Sequence, residues 1–169
     1  LATGDVRPLA TALRETRSIP TMAQWAHFLR NHDELDLGRL TEAQRTRVFE
    51  RFAPEERMHL YDRGIRRRLA PMLGDRRHLE LAYSLLFSLP GTPVIRYGDE
   101  IGMGDDLSLP QRDAVRTPMQ WSDEPQAGFS TADKLVHPII ADGGVWDYRR
   151  INVAEQQRDP TSLFNWTAR

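Results

Sequence analysis

The sequence predicts an α/β protein built on a parallel sheet, and two observations carry that expectation. Two short apolar runs, "QWAHFL" at residues 24–29 and "TPVIRY" at 92–97, have the length and composition of buried strands. Each follows a helix-patterned segment and ends in an acid-bearing polar cluster, "NHDE" or "GDE". Helix, short loop and strand in that order is the rhythm of a parallel sheet.

The elements follow in chain order. Asp5 is placed to cap a helix over residues 6–16, where Val6, Leu9, Ala10 and Leu13 recur at helical spacing and Pro8 falls in the tolerated first turn. The Ser-Ile-Pro at 18–20 ends it, and the first strand comes next. Thr41 and Gln44 form a capping-box pair, which starts a charged helix running to about Phe52. Pro54 suits the first position of another helix through "EERMHLYDRG". The clearest helix is "DRRHLELAYSLLFSLPG", with Leu79, Ala82, Leu86 and Leu89 on one face before Pro90 and Gly91 stop it. The second strand follows. From Gly98 to about Val153 the chain is rich in Gly, Pro and Asp and weakly periodic, and a connection of that length is usually functional or disordered. Asp159 is then expected to cap a last helix, "PTSLFNWTAR", with Pro160 at its first position.

Composition excludes several classes. Hydrophobic residues make up 40% and charged residues 28%, the balance of a soluble globular protein. With 23 basic and 24 acidic residues, no global field draws the chain to nucleic acid or an anionic membrane. The run "RGIRRR" at 63–68 is therefore expected to be a solvated or salt-bridged face. "LELAYSLLFSLPG" is too short and too polar to span a bilayer, so no membrane partner is expected. The absence of cysteine removes disulfides and thiolate metal sites. His59, His78 and His137 lack ligand spacing for zinc, and "GDDLSLPQRD" lacks the alternating oxygen ligands of a calcium loop, so no cofactor is expected in this segment. "LATGDVRP" carries neither an initiating methionine nor a signal pattern and reads as the middle of a longer chain.

Function points to the strand ends, where α/β folds bind ligands. A carboxylate fixed there, such as Asp33, reorganises little and can stabilise developing positive charge such as an oxocarbenium ion. His32 beside it can donate to a sugar hydroxyl when neutral. Asn and Asp can equally serve only to turn the chain after a strand. Asp99 and Glu100 form a second adjacent pair, but neighbours in an extended chain point to opposite sides.

"FLRNHDE" resembles the fourth conserved region of glycoside hydrolase family 13, the α-amylase superfamily, at the end of its seventh barrel strand. "LPGTPVIRYGDEIGMGDD" resembles its eighth strand, "RDAVRTPMQWSDEPQAGFS" the segment after it in exo-acting members, and "INVAEQQRDPTSLFNW" the approach to the last barrel helix. Four blocks in family order cover nearly the whole chain. The resemblance implies the C-terminal portion of a (β/α)8 TIM barrel, from about the sixth helix to the start of the eighth, with a long loop after the last strand. Residues 1–169 would then be a partial catalytic domain without the earlier strands or the C-terminal β domain. Such a barrel takes about 250 residues.

Within the family the motifs are most similar to the trehalose synthases, which isomerise maltose and trehalose; the alternatives are an α-glucosidase or α-amylase-type hydrolase, or a non-catalytic barrel used as a binding subunit. The resemblance makes Asp33 the transition-state stabiliser and His32 a ligand of the glucose in the cleavage subsite. Arg112 would close that subsite, with Arg116 the second choice. It further implies an α-linked glucose disaccharide or short α-glucan as substrate, a cytoplasmic location, and calcium only in parts of the family fold outside these residues. The nucleophile and acid/base would lie there too, so the 169 residues alone are expected to be inactive and unstable, with open strand edges.

Overall fold

A computed structural model describes residues 2–169. In chain order the elements are α1 (Arg7–Glu15), β1 (Ala26–His27), β2 (Leu35–Asp36), α2 (Glu42–Phe52), β3 (His59–Leu60), β4 (Gly64–Ile65), α3 (Leu69–Leu73), α4 (Arg76–Ser88), β5 (Thr92–Pro93), α5 (Val153–Arg158) and α6 (Leu163–Thr167). β1 and β5 pair in parallel, Ala26 opposite Thr92 and His27 opposite Pro93. The ladder is bounded by Thr92 N–H donating to the Trp25 carbonyl at 2.8 Å and Val94 N–H to the His27 carbonyl at 2.7 Å. The parallel sheet expected from the sequence is thus present, as an open two-stranded piece. The expected burial of its strands is not: Phe28 is 53% exposed and Val94 45%. Two strands paired only to each other leave their faces uncovered among the described residues, whatever their hydrophobicity.

Helices with a local cap form where expected. Thr41 Oγ1 accepts from the Gln44 N–H and Gln44 Oε1 accepts from the Thr41 N–H, closing the capping box of α2. Asp75 accepts from the His78 N–H at 3.0 Å to start α4, whose buried face is Leu79, Ala82, Tyr83 and Leu86. Leu89 lies one residue past its end. Burying a leucine-sized side chain contributes about 1.5–3 kcal/mol, so this face anchors the cluster that α4 forms with Leu69, Ala70 and Leu163. At α1 the N-cap is Val6; Asp5, one residue earlier, accepts from the Arg7 N–H and pairs with the Arg7 guanidinium.

Two further expectations are corrected. No helix starts at Pro54: a 3-10 turn at Glu56–Met58 leads into β3 and β4, which with β2 form an antiparallel sheet in the order β2-β4-β3. Tyr61 and Asp62 both sit at φ 55°, the left-handed turn that suits a hairpin. Gly64 faces Glu34, whose Cγ would lie 2.7 Å from any Cβ built there, so only glycine lets β4 approach β2. The final helix is likewise not capped by Asp159, which instead accepts from the Thr161 N–H and hydroxyl. Ser162 caps α6 by accepting from the Asn165 N–H at 3.1 Å, after the separate helix α5, capped by Asn152.

Between β5 and α5 the chain holds only 3-10 turns, at Asp99–Ile101, Gln111–Val115 and Pro125–Gly128. It is nonetheless packed, with Met103, Val115, Thr117 and Gln120 fully buried. Arginines hold it in place of a ladder. The Arg66 guanidinium alone donates to the carbonyls of Arg57, Leu107, Leu109 and Gln111 at 2.7–3.0 Å. The run "RGIRRR" therefore turns inward: Arg66 and Arg68 are buried, and Arg67 and Arg68 pair with Asp105 and Asp99.

Candidate active site

The site is built on the turn that follows β1. Asn31 Oδ1 accepts from the Asp33 N–H at 2.9 Å, a side-chain turn that reverses the chain after the strand. Beneath it the buried Arg30 donates from Nε to the Arg67 carbonyl and from Nη2 to the Asp33 carbonyl, both at 2.8 Å. Burial pulls the Arg30 pKa down to about 10, which still leaves it a cation at neutral pH. The Asp33 backbone is thereby held by a group that does not move with the solvent.

The other three residues singled out from the sequence, His32, Arg112 and Arg116, converge on the Asp33 carboxylate. Arg116 Nη2 donates to its Oδ1 at 2.8 Å, with Arg112 Nε 3.4 Å from the same atom. His32 Nε2 lies 3.6 Å from Oδ2. Arg116 Nε also donates to the His32 carbonyl at 2.9 Å. The side chains of Asp33, Arg112 and Arg116 remain 36–40% exposed and that of His32 68%, so the cluster faces solvent and is open to a ligand.

Sequence reading missed Glu34. Its side chain is 9% exposed, and Arg112 grips it with two donors, Nε to Oε2 at 2.6 Å and Nη2 to Oε1 at 3.1 Å. These hydrogen bonds hold the Glu34 carboxyl below the usual glutamate range and push the Arg112 pKa further up. The available signals were its place in "NHDE" and the glycine at 64 that makes room for it. A carboxylate fixed as an anion in a bidentate pair cannot act as a general acid. Two arginines and two carboxylates leave the cluster near neutral, with Asp33 the carboxylate that retains open lone pairs. It can stabilise a cationic transition state, whereas Glu34, held as an anion by Arg112, is not free to protonate a leaving group.

The second acidic pair is arranged differently. Asp99 is 4% exposed and bound to Arg68 at 3.1 Å, with burial pushing its pKa up. Tyr83 donates its hydroxyl to the Asp99 carbonyl at 2.7 Å, tying the turn to α4. Among the described residues no helix is long and apolar enough to cross a membrane.

Residues 62–169 match a family model described as alpha amylase, catalytic domain. The chain is 49% identical over 163 residues to the trehalose synthase/amylase TreS of Mycolicibacterium smegmatis, covering 95% of this chain and 27% of that protein. It is 47% identical over 168 residues to the trehalose synthase of Thermus thermophilus, covering 98% of this chain. The chain spans 17% of the length of that second relative. Among solved structures it is similar to the trehalulose synthase MutB of Pseudomonas mesoacidophila MX-45, with a TM-score of 0.56 at 20% identity over 94% of this chain and 29% of that one. That likeness is one of fold.

Proposed function

The chain belongs to the α-amylase family, glycoside hydrolase family 13, and so to a TIM-barrel region; on that premise we propose that it contributes the stabilising carboxylate of a trehalose-synthase-type enzyme. In this reading it runs from about the sixth barrel helix to the start of the eighth, with the long loop following the eighth strand. The two relatives described as trehalose synthases support it, at 47% and 49% identity across nearly all of these residues. The observation that carries it is the convergence of His32, Arg112 and Arg116, from two distant loops, on one open carboxylate, Asp33.

The chemistry proposed is retaining glucosyl transfer. Asp33 holds sugar hydroxyls and favours the oxocarbenium-like transition state, His32 donates to the same glucose, and Arg116 and Arg112 keep Asp33 aimed. The nucleophile and the acid/base must stand roughly 5 Å apart, and they belong to barrel sequence outside these 169 residues. Isomerisation, as opposed to hydrolysis, then depends on how well the closed pocket keeps water from the glucosyl-enzyme intermediate. Maltose and trehalose are the proposed substrates, and the cytoplasm the proposed compartment.

The test is to supply the full-length enzyme with maltose and trehalose separately. Interconversion is expected; glucose as the sole product would make it a hydrolase. In the same assay Asp33→Asn should lower turnover by at least about 100-fold, and retention of more than a few per cent would refute its role. The isolated 169 residues should show no turnover.

A further inference from the structure

Arg96 stands outside the chemistry just described, yet it touches both loops that carry it. Arg96 is buried, 9% exposed, in the segment that follows β5. Nη1 donates to the Asn31 carbonyl at 2.9 Å and Nη2 to the Val115 carbonyl. Asn31 directly precedes His32 and Asp33, and Val115 directly precedes Arg116. On the solvent side Arg116 joins the same two loops through the His32 carbonyl and the Asp33 carboxylate. The next residue, Tyr97, donates its hydroxyl to the Thr117 carbonyl at 2.9 Å and lies with its ring centroid 5.1 Å from the Arg96 guanidinium. Both backbone neighbours of Arg116 are therefore pinned from positions 96 and 97.

We propose that Arg96 is a positioning residue whose two-carbonyl bridge sets the separation of the Asn31–Asp33 and Val115–Arg116 loops, and with it the Asp33–Arg116 contact. The inference rests on the reading of Asp33 as the stabilising carboxylate. The geometry calls for a guanidinium, because a planar fork reaches two carbonyls at once, whereas a lysine ammonium is a compact point charge on a flexible stem. The position also carries a cost: Nε has no hydrogen-bond partner, and burial pulls the pKa of the group down. An apolar side chain of similar length would avoid that cost but strand the Asn31 and Val115 carbonyls, so the net stability an arginine contributes here is small.

The experiment compares Arg96→Met and Arg96→Lys in the full-length enzyme. Arg96→Met should keep the thermal midpoint close to that of the parent. Its kcat should fall about 10- to 100-fold, the scale expected of an ångström-sized misplacement, while KM changes less than about threefold. Arg96→Lys should not rescue kcat. In a double-mutant cycle with Arg116→Lys the losses should fall well short of additive, since both substitutions release one contact. A folded Arg96→Met with unchanged kcat, or full additivity, would overturn the proposal. So would a pair of Arg96 variants that fail to fold beside a Tyr97→Phe that is folded and fully active, because the role would then be structural. If the unsubstituted enzyme turned over neither disaccharide, the functional reading would fall. The bridge would then be judged on a crystal structure of Arg96→Met: Asp33 and Arg116 beyond about 4 Å supports it, and an unchanged contact sinks it.

Discussion

Buried and half-exposed arginines in this molecule carry the same charge but bind different groups. Arg30, Arg66 and Arg96, all 9% exposed or less, donate to backbone carbonyls. Arg112 and Arg116, more than a third exposed, bind the carboxylates of Glu34 and Asp33. A guanidinium has five donors and no acceptor, so carbonyls of irregular loops can satisfy it without a second buried ion. That use converts a segment without strands or long helices into a fixed support. The Arg116–Asp33 pair, half-exposed on both sides, is weakened by solvent and can open to a ligand, whereas Arg112 is held by the nearly buried Glu34. Arg68 is the intermediate case, fully buried and bound both to the Tyr97 carbonyl and to Asp99.

Three substitutions test this contrast. The largest effect on stability is expected at Arg68→Ala, which strands the buried Asp99 without its cation. Losing one member of a buried pair costs about 3–5 kcal/mol, measurable as a lower urea midpoint of the full-length protein. A change below about 1 kcal/mol would mean that Arg68 is no more structural than a surface arginine. Next, Arg116→Lys should move stability by less than about 1 kcal/mol while lowering kcat/KM about tenfold, because an ammonium cannot serve Asp33 and the His32 carbonyl together. Equal activity in a steady-state assay would count against a ligand-facing role for Arg116.

The smallest effect is on pH dependence. An unfolded Glu34 takes up its proton near 4.5, whereas the folded one, gripped by Arg112, does so only at lower pH. The pair therefore favours the folded state above about pH 4.5, and the advantage fades as pH falls through the depressed folded value. Thermal midpoints between pH 6 and 3 should decline less steeply for Glu34→Gln than for the parent. Identical slopes would show that the pair contributes nothing to acid stability.

Legibility in the sequence followed the range of the interaction. Thr41 with Gln44 is closed within three residues, so the start of α2 is legible in the sequence; the Asp75 cap on the His78 N–H is equally local, but the reading of α4 rests on its apolar face. His32, Asp33, Arg112 and Arg116 were found through motif resemblance, and the fold brings all four together. The helix expected after Pro54 did not form, because His59–Leu60 gains a hydrogen-bonded partner in Gly64–Ile65, which itself pairs with β2 from before α2. No window around residue 59 contains β2. The "RRR" at 66–68 reads as a surface charge run by composition, and its burial depends on carbonyls and acids 31 to 41 residues downstream.

Local sequence was enough for the cap of α2, the apolar face of α4 and the parallel pairing of the two apolar runs, and family resemblance supplied the four residues expected at the candidate site. Long-range packing set the rest: Glu34 locks Arg112 across 78 residues, Arg96 bridges Asn31 and Val115, and the strand side chains stay exposed. The physical reason is that a cap or a periodic face is satisfied by groups a few positions away, whereas burial and the choice of a guanidinium's acceptors depend on which distant segments the fold brings alongside.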